Sequence, residues 1–198
     1  MRELEALRRL DVDRASSRAA AGLAPRAERE GLVDVAFVEV QSPLGTLLAA
    51  ATRRGLVRLA YPNEDRDQTL EELARLVSPR VLEAPARLDG IRRELDEYFG
   101  GQRKRFEFGV DFALSRGFTQ RVLRATARIP FGSVSTYREV AERAGNDRAY
   151  RAAGNALGSN RVPIVVPCHR VLHSGGGLGG YTGGLDRKRF LLSLEGVL

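Results

Sequence analysis

The sequence predicts an α/β N-terminal domain followed by a mainly α C-terminal domain with a helix-turn-helix and an active-site loop. Three observations predict it. Apolar residues alternate in period two between Val33 and Ala60, the spacing of half-buried strands. Two stretches of helical spacing follow, between Asp67 and Phe99. From Ser115 onward helices and loops take over, and a short glycine turn joins two of those helices.

The strands come first. Val33, Val35 and Phe37 alternate, Ser42-Pro43-Leu44-Gly45 carries turn chemistry, and Thr46 to Ala51 continues the pattern. Thr52-Arg53-Arg54-Gly55 marks a second turn before Leu56 to Ala60. After Asp67, Leu70, Leu73, Leu76 and Val77 share one helical stripe. A second helix carries Leu88, Ile91, Leu95, Tyr98 and Phe99 and stops at Gly100-Gly101. Phe106, Phe108, Val110 and Phe112 alternate, so that piece reads as an edge strand or extended linker with a core-facing aromatic stripe. The expected α/β domain spans residues 32–112. Residues 1–31 read as an N-terminal extension, with one short amphipathic helix through Leu4, Leu7 and Leu10.

The helical domain is expected over residues 113–198. Phe118, Val122, Leu123 and Ala125 lie on a helix that ends at Ile129-Pro130-Phe131-Gly132. Thr136-Tyr137-Arg138-Glu139 is a capping box, in which hydroxyl and carboxylate satisfy reciprocal backbone donors. Tyr137, Val140, Ala141 and Ala144 share a face of the helix it opens. Gly145-Asn146 suits a left-handed turn, and a second helix follows from about Asp147 to Leu157. Any packed helical hairpin has this outline. The small Ala152, Ala153 and Ala156, flanked by Arg148 and Arg151, would let another surface approach the second helix closely.

With 198 residues and 43% apolar content the chain can bury a real core. No run of about 18 apolar residues occurs, so no membrane contact is expected. Met1-Arg2-Glu3-Leu4-Glu5 does not read as a signal peptide. One cysteine cannot form an intramolecular disulfide, and no Cys/His cluster exists to hold zinc. A lone thiol fits a reducing cytosol, so the expected location is cytoplasmic. The net charge of +7 favours a polyanionic partner, although arginine-rich composition alone would also produce it.

Chemistry concentrates in Pro163-Ile164-Val165-Val166-Pro167-Cys168-His169-Arg170-Val171. The sole cysteine stands beside one of two histidines, delivered by an apolar run and followed by glycines. A free thiol titrates near ~8.5, so it needs a base to act as a nucleophile at neutral pH. An imidazole in reach, directly or through a water, supplies one. A small core cysteine beside a chance histidine is the alternative for any such pair.

Ile129 to Tyr137, Arg151-Ala152-Ala153-Gly154-Asn155-Ala156, Asn160 to Val171 and Gly179-Gly180-Tyr181-Thr182-Gly183-Gly184-Leu185 together resemble the O6-alkylguanine-DNA alkyltransferases. Order and spacing agree without a gap from Tyr137 to Glu195. The α/β part resembles that family's ribonuclease-H-like domain more loosely, mainly through Ser42-Pro43-Leu44-Gly45. The resemblance implies direct-reversal DNA repair. Cys168 would take the alkyl group from O6-alkylguanine in one irreversible turnover, with no cofactor and no metal. It implies a Glu195–His169–water–Cys168 relay braced by Asn160. Tyr137, supported by Lys188, would face the purine ring. The backbone carbonyls of Cys168 and Val171 would accept from the exocyclic amine, and the Thr182 amide would donate to the guanine oxygen. The family usually has serine where Thr182 stands; threonine adds a methyl beside the pocket. Pro163, Tyr181 and Gly183 would wall the alkyl chain.

The implied partner is double-stranded DNA carrying O6-alkylguanine, met by a monomer with or without cooperative binding. The base would be flipped out of the duplex, with Arg151 filling the space it leaves. The second helix would dock in the minor groove, where Ala152 and Ala156 permit close approach. Arg138, Arg148 and Arg161 are the nearby basic groups suited to phosphate contacts. Two other readings compete. A non-repairing relative would replace the cysteine, which is present here. An unrelated thiol hydrolase would not explain a helix-turn-helix feeding the same pocket.

Overall fold

The computed structural model describes Arg26 and residues 30–198. The helix expected through Leu4, Leu7 and Leu10 lies outside the described residues. Strands β1 (Val35–Val40), β2 (Leu47–Thr52) and β3 (Gly55–Ala60) form an antiparallel meander. A fourth strand, β4 (Val81–Glu83), runs parallel to β1 and sets the order β3-β2-β1-β4. Three residues are too few for β4 to carry a readable alternation.

Both faces of the sheet are covered. Val35, Phe37, Leu48, Ala50 and Val57 pack with Leu73 of α1 (Arg66–Leu76). Asp65 caps that helix by accepting from the Gln68 N–H. Ala36, Val38, Val40, Ala49 and Ala51 point the other way. There they join Leu88, Ile91, Leu95 and Tyr98, of which all but Leu88 lie on α2 (Asp89–Phe99). The same apolar cluster continues without a break into the C-terminal helices, so one core serves both halves. Residues 109–111 lie beside β3, joined by a single parallel bridge between Leu56 and Val110. Phe106, Phe108, Val110 and Phe112 are half-buried against the core.

The C-terminal half contains α3 (Gly117–Thr126), α4 (Tyr137–Arg143) and α5 (Tyr150–Gly158). The capping box at Thr136 and Glu139 is formed in both directions. The helix expected from Asp147 starts three residues later, at Tyr150. Asn146 is the reason: its side chain accepts from the Arg148 N–H and its carbonyl from the Ala149 N–H, closing a turn first. Strands β5 (Ser135–Thr136) and β6 (Val171–Leu172) pair in parallel beside this hairpin. A last helix, α6 (Leu185–Leu194), buries Lys188, Leu191 and Leu192. Among the described residues no helix is long and apolar enough to cross a membrane.

Candidate active site

Between α5 and β6 the chain folds through successive turns, with Val166 N–H bonded to Val162 O and Cys168 N–H to Val166 O. Ile164 sits there at φ 73, a left-handed conformation that a β-branched residue adopts only at a cost of about 1–3 kcal/mol. Asn160 holds the turn. Its Oδ1 accepts from Val162 N at 3.0 Å, and its Nδ2 donates to Val166 O at 2.9 Å and to Cys168 Sγ at 3.1 Å. Cys168, His169 and Arg170 then form a single 3-10 turn.

Cys168 is 7% exposed and lines two spaces. One is an open cavity of about 700 Å³ walled by Tyr137, Gly154, Leu157, Tyr181 and Thr182, with Arg138, Tyr150 and Arg151 also lining it. The other is a recess of about 40 Å³ between Tyr61, Pro163, Tyr181 and Gly183. Burial pushes the thiol up, and the Asn160 hydrogen bond and the Lys188 charge only partly offset this. The resting sulfur is therefore protonated at neutral pH.

His169 Nε2 lies 2.9 Å from Glu195 Oε1, and neither side chain is exposed. Burial would raise the Glu195 carboxyl, but hydrogen bonds from His169 and Arg170 outweigh it and hold the group down at about 2. An ionised carboxylate only accepts, so Nε2 carries the imidazole proton. Nδ1 is then the basic nitrogen, and it is buried with no hydrogen-bond partner among the described residues. Burial also lowers the His169 pKa, so the ring rests neutral and can take a proton.

Glu195 has more partners than a catalytic relay requires. Tyr98 Oη donates to its Oε1 at 2.6 Å, across from α2. Arg170 grips both oxygens, with Nε and Nη2 each at 2.8 Å. Neither contact is readable from spacing, because Tyr98 is 97 and Arg170 25 residues from Glu195 in sequence. Tyr61, Tyr150 and His173 also went unmarked in the sequence. Tyr61 Oη lies 2.6 Å from Tyr181 Oη, the guanidiniums of Arg138 and Arg151 lie 6.0 and 5.7 Å from the centre of the Tyr150 ring, and the His173 ring is 5.1 Å from that of Tyr137.

Residues 28–112 match the model of the 6-O-methylguanine DNA methyltransferase ribonuclease-like domain, and residues 117–197 match that of its DNA-binding domain. The chain belongs to the 6-O-methylguanine DNA methyltransferase family. A methylated-DNA–protein-cysteine methyltransferase of Mycolicibacterium paratuberculosis is 40% identical over 161 residues, covering 81% of this chain and 92% of its own. The solved O6-methylguanine methyltransferase of Mycobacterium tuberculosis superposes with a TM-score of 0.69 at 35% identity, over 81% of this chain and 92% of that one. The OGT of the same organism, solved in complex with DNA, matches at 0.69 and 34%, with the same coverage.

Most residues singled out in the sequence lie around Cys168, but Ala156, Arg161, Lys188 and Val171 sit differently from expectation. Ala156 is 3% exposed, because α5 turns Ala153, Ala156 and Leu157 inward and leaves Arg151, Ala152 and Asn155 outside. It cannot face a ligand on that helix. Arg161 is ion-paired at 2.7 Å with Glu72 of α1, and its carbonyl accepts from Leu59 N, so it fastens the two halves together. Lys188 Nζ donates to the carbonyls of Val171 and Leu178 and makes no hydrogen bond to Tyr137. Its burial lowers its pKa to about 8, against the pull of the Cys168 charge. Val171 is fully buried, and its carbonyl accepts from Lys188 Nζ at 2.7 Å. Arg148 is exposed and absent from the cavity wall. Thr182 Oγ1 donates to Gly158 O at 2.9 Å and ties the loop to the end of α5.

Two glycines make room for aromatic rings. A Cβ at Gly179 would stand 2.5 Å from Tyr137 Oη, and Gly179 also has φ 68. A Cβ at Gly183 would stand 2.6 Å from Tyr61 Cε2 and 2.9 Å from Tyr181 Cε1. Gly183→Ala is therefore expected to cost about 1–3 kcal/mol through overpacking and to narrow the recess beside the thiol. Thermal unfolding and the labelling rate of Cys168 by a small thiol reagent check this; an unshifted midpoint with unchanged labelling refutes it.

Proposed function

We propose that this protein repairs DNA directly, by moving an alkyl group from O6-alkylguanine to Cys168 in a single irreversible turnover. One observation carries the reading: the lone thiol stands where an open, arginine-lined cavity meets a small, narrower recess, and the next residue of the same turn is a histidine whose Nδ1 has no hydrogen-bond partner among the described residues. The cavity has room for a flipped base, and the recess has room for its alkyl group. The thiol proton passes to His169 Nδ1 through a water. Sulfur forms a bond to the alkyl carbon as the carbon–O6 bond breaks. Guanine leaves with the electron pair. Tyr137, whose pKa is raised by burial and by the Cys168 charge, stays protonated and donates to the purine as charge develops there. The thioether has no leaving group, so the protein is spent after one transfer. Asn160 holds the sulfur, and Lys188 holds the loop that ends the pocket.

Double-stranded DNA is the partner that the basic rim fits, and the protein acts in the cytoplasm as a monomer in this reading. Arg151, Ala152 and Asn155 form the outward face of α5, and Arg138 and Arg148 supply phosphate contacts. Arg151 enters the stack as the base leaves it.

The test is mass spectrometry after mixing the protein with a duplex containing O6-methylguanine. A lasting gain of one methyl on Cys168 is expected, and an unmodified Cys168 beside repaired DNA overturns the reading. Arg151→Ala separates flipping from chemistry. It is expected to slow transfer from duplex at least about tenfold, since a lost flip contribution of about 1.4 kcal/mol suffices for that. Reaction with the free alkylated base should barely change. Equal slowing on both substrates would assign Arg151 to the thiol or to the fold.

A further inference from the structure

We propose that Tyr61, carried by the N-terminal domain, sets the upper size of the alkyl group that can reach Cys168. The proposal rests on the transfer reading above and extends it to a residue outside the helical domain. Tyr61 follows β3 directly and is 4% exposed. With Pro163, Tyr181 and Gly183 it closes the recess on which Cys168 opens. That recess measures about 40 Å³. It takes roughly three water-sized groups, enough for a methyl or a short chain and too little for an aryl ring.

The wall is braced and cannot easily swing aside. The Tyr61 N–H donates to Glu64 Oε1 at 2.9 Å, and Glu64 is ion-paired with the buried Arg58. The Tyr61 hydroxyl meets that of Tyr181 at 2.6 Å, and the two rings stand edge to face at 65°. The Arg187 guanidinium lies 4.9 Å from the centre of the Tyr61 ring. Arg187 is itself held by Asn63 Oδ1 at 2.8 Å and Gly183 O at 2.7 Å. The ring also packs directly on the Gly183 backbone. Swinging the Tyr61 ring aside therefore breaks its hydroxyl bond to Tyr181 and its packing against Gly183 and Arg187. A rigid apolar wall rejects a larger group by overlap; one surplus methylene in such a pocket is worth about 10–200-fold in rate.

The experiment measures transfer from duplexes carrying O6-methyl-, O6-ethyl- or O6-benzylguanine, with Cys168 adducts counted by mass. For the unaltered protein, methyl is expected to transfer and benzyl to fall at least about tenfold behind it. Tyr61→Ala and Tyr61→Leu should raise the benzyl-to-methyl ratio at least about tenfold, while Tyr61→Phe, which keeps the ring volume, should leave it low. A flat size profile in the unaltered protein overturns the proposal without recourse to any variant. So does a ratio that Tyr61→Ala and Tyr61→Leu leave unmoved, or one that Tyr61→Phe raises as far as they do. Absence of methyl transfer in the unaltered protein fails the transfer reading itself, and a normal methyl adduct with no size cut-off fails only the proposal.

Discussion

Cys168→Ala is expected to abolish methyl transfer completely while DNA binding stays close to that of the unaltered protein. No second thiol exists to take over. Of the groups placed with the sulfur, His169 Nδ1 is buried, and burial holds the Tyr137 and Tyr181 hydroxyls protonated. The fold tolerates the change. Asn160 Nδ2 keeps its bond to Val166 O at 2.9 Å, and the lost sulfur leaves only a small gap. A stability loss on the order of 1 kcal/mol is expected. Non-specific affinity comes mainly from phosphates meeting arginines, which the substitution does not touch. Measured together, a transfer assay and a binding titration on the same O6-methylguanine duplex decide the matter. Residual transfer would remove Cys168 as the acceptor. Lost binding with intact folding would give the thiol a role in holding the base.

The parts of this site that spacing alone makes legible are those whose partners are close in the chain; Glu195, 26 residues from His169, is legible only through the family resemblance. The capping box at Thr136 and Glu139 spans one helical turn, and both of its bonds are present. The Asn160–Val171 run places Asn160, Cys168 and His169 within one set of turns, so their adjacency follows from order alone. What spacing hides is the contribution of the other domain. Tyr98 reaches Glu195, and Tyr61 reaches Tyr181 across 120 residues, and each looks in sequence like an ordinary core aromatic. Ala156 shows a different limit. The alanines at 152, 153 and 156 are chemically alike, and only the phase of α5 against its neighbours decides which of them faces out. Helix α6 has no clear apolar stripe: Lys188 is buried on it while Phe190 is exposed. In sequence Arg161 is one more basic group; its partner Glu72 lies 89 residues away.

Glu195→Gln is the second substitution with a large expected effect, and it acts on stability and on the thiol through the same carboxylate. The charge lies between Arg170, which grips both oxygens, His169 and Tyr98. An amide keeps the shape but removes the charge and points a donor at the Arg170 or His169 donors. Arg170 is then left buried without a counter-ion, a change that costs about 3–5 kcal/mol where buried pairs are broken. The pH dependence has a definite sign. The folded carboxyl is held at about 2 against an ordinary value of 4.5, so its contribution is full above 4.5 and is lost as pH falls through that window toward 2. Acid unfolding of the unaltered protein should contain this loss, and the Gln variant, already lacking the contribution, should show a flatter acid limb. Transfer should slow as well. The imidazolium that forms when His169 takes the thiol proton loses the anion that stabilises it, and each pKa unit so lost corresponds to about 1.4 kcal/mol. The deficit should shrink at alkaline pH, where the thiolate forms without help from His169. Denaturant unfolding across acid pH and transfer rates from neutral to alkaline pH measure the two effects separately. A variant with the stability loss but an unaltered rate profile would leave Glu195 as the clamp of Arg170 and take it out of the proton path.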